Sequence, residues 1–412
     1  MTGGREKIAF VCQRYGLEVN GGAELHCRQL AERMAARYDV TVYTTCALDY
    51  ITWKNHYAAG EEMISGVRVK RFPVKRERDK ERFDRISDRV FADPSHTDEE
   101  EKEWIEEQGP FCPELIRVLR EERRTYRVVF FMTYLYYLTA TGLTDDFENA
   151  MLIPTVHDEP PVYLRHYEKV FNAAKAIAWN TEEEKAFAEK RFPSIRRKKG
   201  ILAGVGIDEP AVPLPEIPEK LRGTRYLVYA GRIDESKGCR EMMEAFRRYR
   251  DSSKSGLKLV LVGKPVMDIP KDPDIIPLGF VSDEMKLALM RDAFALVLFS
   301  KYESLSMVVL ESMMMGRPVI VTGQCKVLKG HCVRSNAGLY FNGYAEFEGC
   351  VSWLLAHPEA YEVMRENGRR YVKENYCWGR ILDKFSELIQ NEVGSRKQEA
   401  GGSPAGGALL RI

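Results

Sequence analysis

The sequence predicts an α/β protein of two doubly wound, parallel-sheet domains in series, facing each other across a central cleft. Three observations support this prediction. The chain has 412 residues, too many for one ordinary core. Short apolar runs alternate with segments of helical periodicity in both halves. The proline-rich stretch GVGIDEPAVPLPEIPEKLRGTR lies between the halves and suits neither a long helix nor a central strand, so we place the domain boundary near 206.

Each predicted strand is a short apolar run. In the first domain, residues 1–205, these runs are KIAFVCQ, DVTVYTT, YRVVFFMT, AMLIPTV and KAIAWN. In the second domain, residues 206–377, they are RYLVYAG, LKLVLVG, ALVLFS and RPVIVTG. A last helix is predicted over 378–395. The tail, 396–412, is rich in Gly, Ser and Ala without a sustained apolar face, and we expect it to be disordered.

A charged segment, 75–107, interrupts the first domain. Residues 75–89 contain seven basic and five acidic groups, and residues 93–107 contain eight acidic groups and one Lys. Phe83, Ile86, Val90 and Phe91 form one apolar stripe at helical spacing, which favours two helices with solvated outer faces. A flap that faces an acceptor or a membrane is the alternative.

Composition excludes several classes of protein. The 62 Lys and Arg nearly balance the 61 Asp and Glu, so no overall field favours a nucleic acid partner. The nine cysteines contain no CxxC pair, which indicates reduced thiols without disulfides or zinc. The N-terminus lacks the apolar core of a signal peptide, and the apolar stretch 128–143 is too short to span a bilayer. We therefore expect a cytoplasmic location, and a buried strand, loop and helix over 128–143.

In the second domain, YLVYAGRIDESKG ends a strand and places Arg232 and Lys237 before a helix. Two cations beside the free amides of a helix N-terminus can hold a diphosphate. The alternative interpretation is that Arg232 and Lys237 lie on a surface turn and bind no ligand.

The stretch KYESLSMVVLESMMMGRPV places Glu303 in a loop and Glu311 inside an apolar helix that begins near Ser306. Both carboxylates can face one ligand, with the helix amides of 305–308 nearby for a phosphate. A ribose diol would offset the desolvation cost of Glu311 by hydrogen bonding. A partly exposed structural glutamate is the alternative.

The first domain offers two weaker signals. Gly21 and Gly22 lie in a loop between a strand and a helix, where backbone can approach a ligand, but this pair is not the GxGxxG pattern of nicotinamide binding. His157 follows the strand in MLIPTVHDEPP and is expected at the edge of the cleft.

Two further motifs point to structure. Thr181 is predicted to cap a helix, with Glu184 in the capping-box position. Asp272 and Asp274 in KDPD mimic a metal-binding pair, but nothing nearby completes a coordination shell, so we predict no metal site.

Taken together, these stretches resemble the retaining glycosyltransferases of glycosyltransferase family 4, which have the GT-B fold of two Rossmann-like domains. The likeness covers nearly the whole chain, through NGGAE, HDE, GVGID, GRIDESKG, LGFVSDEMKLALM, YESLSMVVLESMMMGRPV and YCWGRILDKFSELI. The resemblance implies transfer of a sugar, with retained configuration, from a UDP-, GDP- or ADP-sugar, without a further cofactor or metal. It also implies a carbohydrate or lipid-linked acceptor, surface polysaccharide or glycolipid synthesis, and a peripheral position on the inner face of the cytoplasmic membrane.

The resemblance implies a role for each matching residue. Arg232 and Lys237 would bind the diphosphate, Glu303 the donor sugar, Glu311 the ribose, and His157 would lie against the donor sugar. Gly21, Gly22, Leu305, Ser306 and Met307 would lie at the donor, and Phe280 and Val281 beside its base. The last helix would cross back onto the first domain. One departure is the sequence SLS where GFG is usual, which loses a glycine next to the phosphate.

Two other functions remain open at this stage. A non-catalytic protein that binds sugar nucleotides on the same fold would be expected to have lost one of Arg232, Lys237, Glu303 and His157, and all four are present. A nucleotide-sugar epimerase would bind the same donor but need no acceptor.

Overall fold

Two separate sheets organise the chain in the computed structural model, which describes residues 5–19, 21–210 and 213–401, with side chains up to residue 391. The first sheet contains β1 (Lys7–Val11), β2 (Asp39–Thr45), β3 (Gly60–Ile64), β4 (Val67–Phe72), β5 (Val128–Met132), β6 (Ala150–Ile153), β7 (Ala176–Trp179) and β8 (Lys199–Leu202). The second contains β9 (Tyr226–Ala230), β10 (Lys258–Val262), β11 (Ile275–Gly279), β12 (Ala295–Leu298), β13 (Val319–Thr322) and β14 (Gly338–Phe341). The predicted α/β class with two parallel sheets is therefore confirmed.

The strand orders create a crevice in each sheet. They are β3-β4-β2-β1-β5-β6-β7-β8 and β11-β10-β9-β12-β13-β14, and every neighbouring pair is parallel except β3 with β4. The order reverses between β1 and β5 in the first sheet, and between β9 and β12 in the second. Loops that follow the strands on either side of such a reversal diverge, and ligands of doubly wound folds bind there.

Helices cover both faces of each sheet. The first sheet carries α1 (Gly22–Met34), α2 (Lys80–Ala92), α3 (Asp98–Gln108), α4 (Pro113–Glu122), α5 (Tyr137–Gly142), α6 (Arg165–Ala173) and α7 (Glu182–Arg191). The second carries α8 (Cys239–Ser253), α9 (Asp283–Asp292), α10 (Met307–Met314), α11 (Lys326–Ser335), α12 (Tyr344–Ala356) and α13 (Pro358–Asn375), and the described chain ends with α14 (Trp378–Gly401). Because helices shield both faces, central strands such as β5 and β9 are buried along their whole length.

All nine predicted strands are present, but the structure contains five more. Four of them, β3, β8, β11 and β14, are edge strands. Edge strands expose polar residues, so their apolar signal is weak: β3 reads GEEMI and β11 contains Pro277, which an edge tolerates. The fifth, β4, alternates apolar and charged residues in VRVKRF and pairs with the edge hairpin partner β3.

The last helix packs on the first domain. Ile381, Phe385, Leu388 and Ile389 are buried against the core around β1 and β5, and the Phe385 and Phe130 ring centroids are 5.6 Å apart. The helix reaches Gly401, beyond the end predicted at 395, since residues 396–400 are mostly good helix formers. Residues 402–412 of the predicted tail lie outside the described part of the chain.

The charged segment forms the helix pair α2 and α3. Ile86 and Val90 are buried against Trp104 and Ile105. The outer faces are joined by ion pairs such as Arg82 with Glu103, at 2.9 Å between Nη2 and Oε1. Opposite charges on α2 and α3 therefore face each other at the surface. The two predicted helices with solvated outer faces are confirmed. For 128–143, strand β5 and helix α5 confirm the predicted strand, loop and helix.

Candidate active site

Arg232 lies just after β9, at the strand-order reversal of the second sheet. Its Nε donates to Asp234, and its Nη1 donates to the hydroxyl of Tyr50 in the first domain. The Arg232 guanidinium also lies over the Tyr50 ring, 5.4 Å from the centroid. Each partner uses one N–H group, and a guanidinium has several more for a ligand. Arg232 is thus anchored between the domains and can still donate to an anion.

Lys237 and Glu303 approach each other from loops after β9 and β12, the two strands that flank the reversal. Lys237 Nζ donates to Glu303 Oε1 at 2.8 Å. Burial lowers the pKa of Lys237, but the charge and hydrogen bond of Glu303 outweigh burial and leave that pKa above its ordinary value. Lys237 is therefore a cation at neutral pH. Lys237, predicted to bind the diphosphate, and Glu303, predicted to bind the donor sugar, are therefore in direct contact.

Glu311 has a partner that sequence reasoning did not identify. Lys286 Nζ donates to Glu311 Oε1 at 2.9 Å, and the two side chains are only 16% and 13% exposed. Lys286 also lies 3.1 Å from Asp283 Oδ1. This ion pair offsets the desolvation of Glu311 in the absence of a ribose, which corrects the expectation that a ligand must do so.

The second carboxylate oxygen of Glu311 is unused. Within the described residues, Oε2 is buried and accepts no hydrogen bond. Burying an acceptor without a donor costs free energy, and a ligand hydroxyl would recover it. The arrangement therefore leaves one oxygen of Glu311 for a ligand while Lys286 holds the other.

Ser306 is the last residue of the SLS sequence and stands where the usual GFG sequence has a glycine. It precedes α10 in the left-handed region, with φ 67°, a conformation that costs a residue with a Cβ more than glycine. The backbone at Ser306 thus has a conformation that glycine adopts readily. The Leu305 carbonyl accepts a hydrogen bond from His331 Nε2 at 2.7 Å. The Ser306 hydroxyl is buried and has no partner within the described residues. Met307 begins the helix.

His157 follows β6 on the first-domain side of the cleft. Its ring centroid lies 5.7 Å from that of Tyr302, the residue before Glu303. Its Nδ1 is 3.6 Å from Glu159 Oε1, too far for a hydrogen bond, and has no hydrogen-bond partner within the described residues. His157 is therefore next to the Glu303 loop, with an uncommitted ring nitrogen.

The glycine loop lies after β1, at the reversal point of the first sheet. Helix α1 begins at Gly22, where an added Cβ would meet open space, so backbone can be approached there. At Gly21 an added Cβ would lie 2.9 Å from Glu24 Cδ, because the buried Arg14–Glu24 ion pair fills that position. Gly21 is thus required by packing, and Gly22 is accessible.

The predicted base contacts lie between β11 and α9. Phe280 is 69% exposed, and Val281 is half-buried against the core of the second domain. Both precede the helix that carries Lys286, so they lie on the Glu311 side of the site.

Further contacts join the two domains beside these groups. Thr181 Oγ1 donates to the carbonyl of Ser304 at 3.1 Å, and Arg334 Nη2 lies 3.1 Å from Glu183 Oε2. The two halves of the chain therefore meet beside the predicted site, where Arg232 contacts Tyr50 and His157 lies next to Tyr302.

Glu184 does not complete the predicted capping box. Thr181 does cap α7, since its Oγ1 accepts from the Glu184 N–H at 3.1 Å. The Glu184 carboxylate instead accepts from the backbone N–H groups of Val156, at 2.8 Å, and Asn180. It therefore ties the end of β7 to the residue before His157, and burial raises its pKa to about 8. A local sequence pattern cannot distinguish this longer-range contact from a cap.

Asp272 and Asp274 are occupied by basic side chains. Arg250 Nη1 lies 2.6 Å from Asp272 Oδ1, and Lys258 Nζ lies 3.2 Å from Asp274 Oδ1. Across the described ranges, no three His, Cys, Asp or Glu side chains come together as a metal site would need.

In the same part of the chain, no helix is long and apolar enough to cross a membrane.

Comparison with known proteins finds similarity to glycosyltransferases over part of the chain. Residues 224–357 match the family model described as Glycosyl transferases group 1. The chain is 31% identical over 107 residues to glycosyltransferase 1 domain-containing protein 1 of Xenopus tropicalis, a match to 25% of this chain and 30% of the relative. It is 25% identical over 268 residues to lipopolysaccharide 1,2-N-acetylglucosaminetransferase of Salmonella typhimurium, a match to 59% of this chain and 68% of the relative.

Solved structures share the whole fold. Sucrose-phosphate synthase of Thermosynechococcus elongatus has a TM-score of 0.67 at 16% identity and covers 95% of this chain and 100% of its own. Anabaena HepE in complex with UDP and glucose has a TM-score of 0.64 at 15% identity, and the match covers 94% of this chain and 100% of the HepE chain. The chain has the GT-B fold, and the matches support a group 1 glycosyltransferase.

Proposed function

We propose that the chain transfers a sugar from a nucleotide-diphosphate sugar to a carbohydrate or lipid-linked saccharide acceptor, with retention of anomeric configuration. One observation carries this proposal. Lys237 and Glu303, predicted from separate motifs, are in direct contact where the strand order of the second sheet reverses, and Arg232 lies on the same loop as Lys237. Glu311 lies on α10, the helix that follows the Glu303 loop, and its Oε2 has no partner within the described residues. Residues at such a reversal are placed to hold a nucleotide. Arg232 and Lys237 would bind the diphosphate, and Glu311 would accept from the ribose.

The charges suit departure of a diphosphate. As the bond between the anomeric carbon and the phosphate oxygen breaks, negative charge develops on the phosphate and positive charge on the sugar carbon. Arg232, Lys237 and the first amides of α10 can stabilise the leaving group. Glu303 remains near the sugar, since Lys237 holds its Oε1 at 2.8 Å. We propose that no metal or further cofactor takes part.

Retention would follow from attack on the face that the diphosphate leaves. The acceptor oxygen bonds to the anomeric carbon while the leaving phosphate takes the acceptor proton. His157 would contact the donor sugar from the first domain, opposite Tyr302 of the second domain, whose ring centroid lies 5.7 Å from that of His157. The neighbouring Glu184 would position the histidine loop through its contact with the Val156 N–H.

The relatives also support a setting for this reaction. One matched relative is named as a lipopolysaccharide N-acetylglucosaminetransferase. We propose surface polysaccharide or glycolipid assembly on the cytoplasmic side of the membrane, with peripheral contact to its lipid.

A donor panel tests the proposal. Thermal unfolding is measured with UDP-, GDP- and ADP-sugars, because a ligand that binds the folded state raises the unfolding temperature by mass action. The stabilising donor is then incubated with glycoside acceptors, and the product is examined by NMR. We expect one nucleotide to stabilise the protein and the product to keep the donor configuration. Failure of every nucleotide to bind would refute the donor site, an inverted product would refute retention, and an epimerised donor without transfer would favour an epimerase.

A further inference from the structure

A cavity of about 560 Å³ lies between the α2–α3 pair and the loop that carries His157. Its size falls in the range of small-molecule sites. Three parts of the chain that are distant in sequence line it. The residues that matter here are Val90, Phe91, Pro94, Asp158, Glu159 and Tyr302.

The cavity adjoins the position proposed for the donor sugar. Tyr302 directly precedes Glu303, and its ring lies 5.7 Å from that of His157. Asp158 and Glu159 directly follow His157. A molecule in the cavity would therefore meet the donor sugar at the boundary between the two domains.

The charge that the cavity presents is negative. Its two basic groups, His96 and Arg165, face three carboxylates of the lining, and both lie against the buried Glu101, at 2.8 and 3.2 Å from its Oε1. Arg165 is paired a second time, with Asp98 at 3.1 Å. Asp158 and Glu159 each accept one tyrosine hydroxyl at 2.7 Å, through Oδ1 and Oε1 respectively. Each of these carboxylates has a second oxygen, which suits the hydroxyl donors of a sugar and repels an anion.

The remaining wall is apolar and aromatic. Phe91 is 39% exposed at the end of α2, and Tyr302 is 44% exposed. An aromatic face packs against the C–H face of a sugar ring, while carboxylates bind its hydroxyl edge. The cavity offers both kinds of surface.

We propose that this cavity is the acceptor subsite and that it takes an uncharged saccharide, whose hydroxyls donate to Asp158 and Glu159. Sugars that carry a phosphate or carboxylate are excluded by the same two residues. The helix pair α2 and α3 thereby sets acceptor choice. This proposal rests on the proposed transferase function. In the reaction, one acceptor hydroxyl oxygen bonds to the anomeric carbon, the carbon–phosphate oxygen bond breaks with its electron pair, and the hydroxyl proton passes to the diphosphate.

The test compares two sets of acceptor probes with the donor found above: 4-nitrophenyl glycosides and the same glycosides carrying a 6-phosphate. We expect transfer to the neutral set only. Phe91→Asp places a charge on the wall and should raise the glycoside KM at least tenfold, while the Kd of the nucleoside diphosphate, measured by calorimetry, is unchanged. Val363→Asp is the control, since Val363 is also an exposed apolar residue, on α13, and should change neither value.

A second variant tests the charge argument without disturbing the helix pair. Asp158→Asn should make transfer to the phosphorylated set measurable, at a rate at least tenfold above the detection limit that bounds the wild type, and continued exclusion of that set would contradict the charge argument. Preference of the wild type for phosphorylated glycosides, transfer to neither set, or a wild-type KM in Phe91→Asp would overturn the acceptor proposal while donor binding stands. Loss of nucleotide binding in the wild type would overturn the proposed function itself, and the subsite with it.

Discussion

Replacing Glu311 by Gln separates two roles that the structure gives this residue. The carboxylate holds Lys286 through Oε1 at 2.9 Å, and its buried Oε2 is free for a ribose hydroxyl within the described residues. The amide is nearly isosteric but carries no charge. We therefore expect a change in stability and a change in nucleotide affinity, with different origins.

The stability change comes from Lys286. Hydrogen bonds to charged groups contribute roughly 1.5 to 3 kcal/mol, and both side chains of this pair are largely buried. Asp283, at 3.1 Å from the same ammonium, keeps part of the compensation. We expect Glu311→Gln to lower the free energy of unfolding by about 2 kcal/mol in urea denaturation.

The affinity change comes from the ribose. Loss of a charge-assisted hydrogen bond of about 1.5 to 3 kcal/mol weakens binding roughly 10- to 150-fold. Calorimetry should show this loss for the nucleoside diphosphate and for the intact sugar nucleotide, since both contain the ribose. Glu303→Gln is the matched control, because it should weaken only the sugar nucleotide.

A double variant shows that the affinity loss does not follow from instability. Replacing both members of a buried pair, as Glu311→Gln with Lys286→Met, restores most of the stability but not the ribose contact. If Glu311→Gln binds the nucleoside diphosphate as tightly as wild type, Glu311 serves only as the partner of Lys286 and the ribose assignment is wrong.

Three further predictions concern pH, backbone strain and metal. Because burial raises the Glu184 pKa from 4.5 to about 8, the folded state keeps a proton that the unfolded chain releases, so this group's stabilising contribution falls as pH rises from 4.5 to 8. Glu184→Gln should flatten that slope in denaturation at several pH values, and an unchanged slope would contradict the assignment. Ser306→Gly should raise the free energy of unfolding by about 1 kcal/mol by relieving the left-handed φ, whereas Ser306→Ala should lack that gain; equal effects would argue against strain. Activity should survive dialysis against EDTA, and a loss restored by manganese would overturn metal independence.

Sequence patterns predicted the central strands and the site motifs for a shared physical reason. Strands buried on both faces are continuous apolar runs, as in VVFFM of β5, and the loops after them carry the charged residues. The edge strand β3, GEEMI, lacks that signal because solvent covers much of its surface.

The parts of the site that the sequence did not predict depend on contacts between elements that are distant along the chain. Tyr50 gave no local signal, since its role arises only when Arg232 of the other domain meets it. Lys286 lay within the SDEMK stretch, but only the packing of α9 beside α10 places it against Glu311. The same limit applies to Glu184, whose spacing from Thr181 predicted a cap while its side chain reaches Val156.

The most direct test of the donor site compares two similar lysines. Lys237 pairs with Glu303 at 2.8 Å, and Lys258 pairs with Asp274 at 3.2 Å at the start of β10, with nearly equal exposure of the two lysines. Steady-state turnover is measured for Lys237→Met and Lys258→Met at saturating donor. Loss of one charged donor to the leaving group costs about 2 to 4 kcal/mol, so Lys237→Met should fall roughly 30- to 1,000-fold while Lys258→Met stays near wild type. Near-wild-type turnover of Lys237→Met would contradict the assignment of this cleft as the diphosphate site.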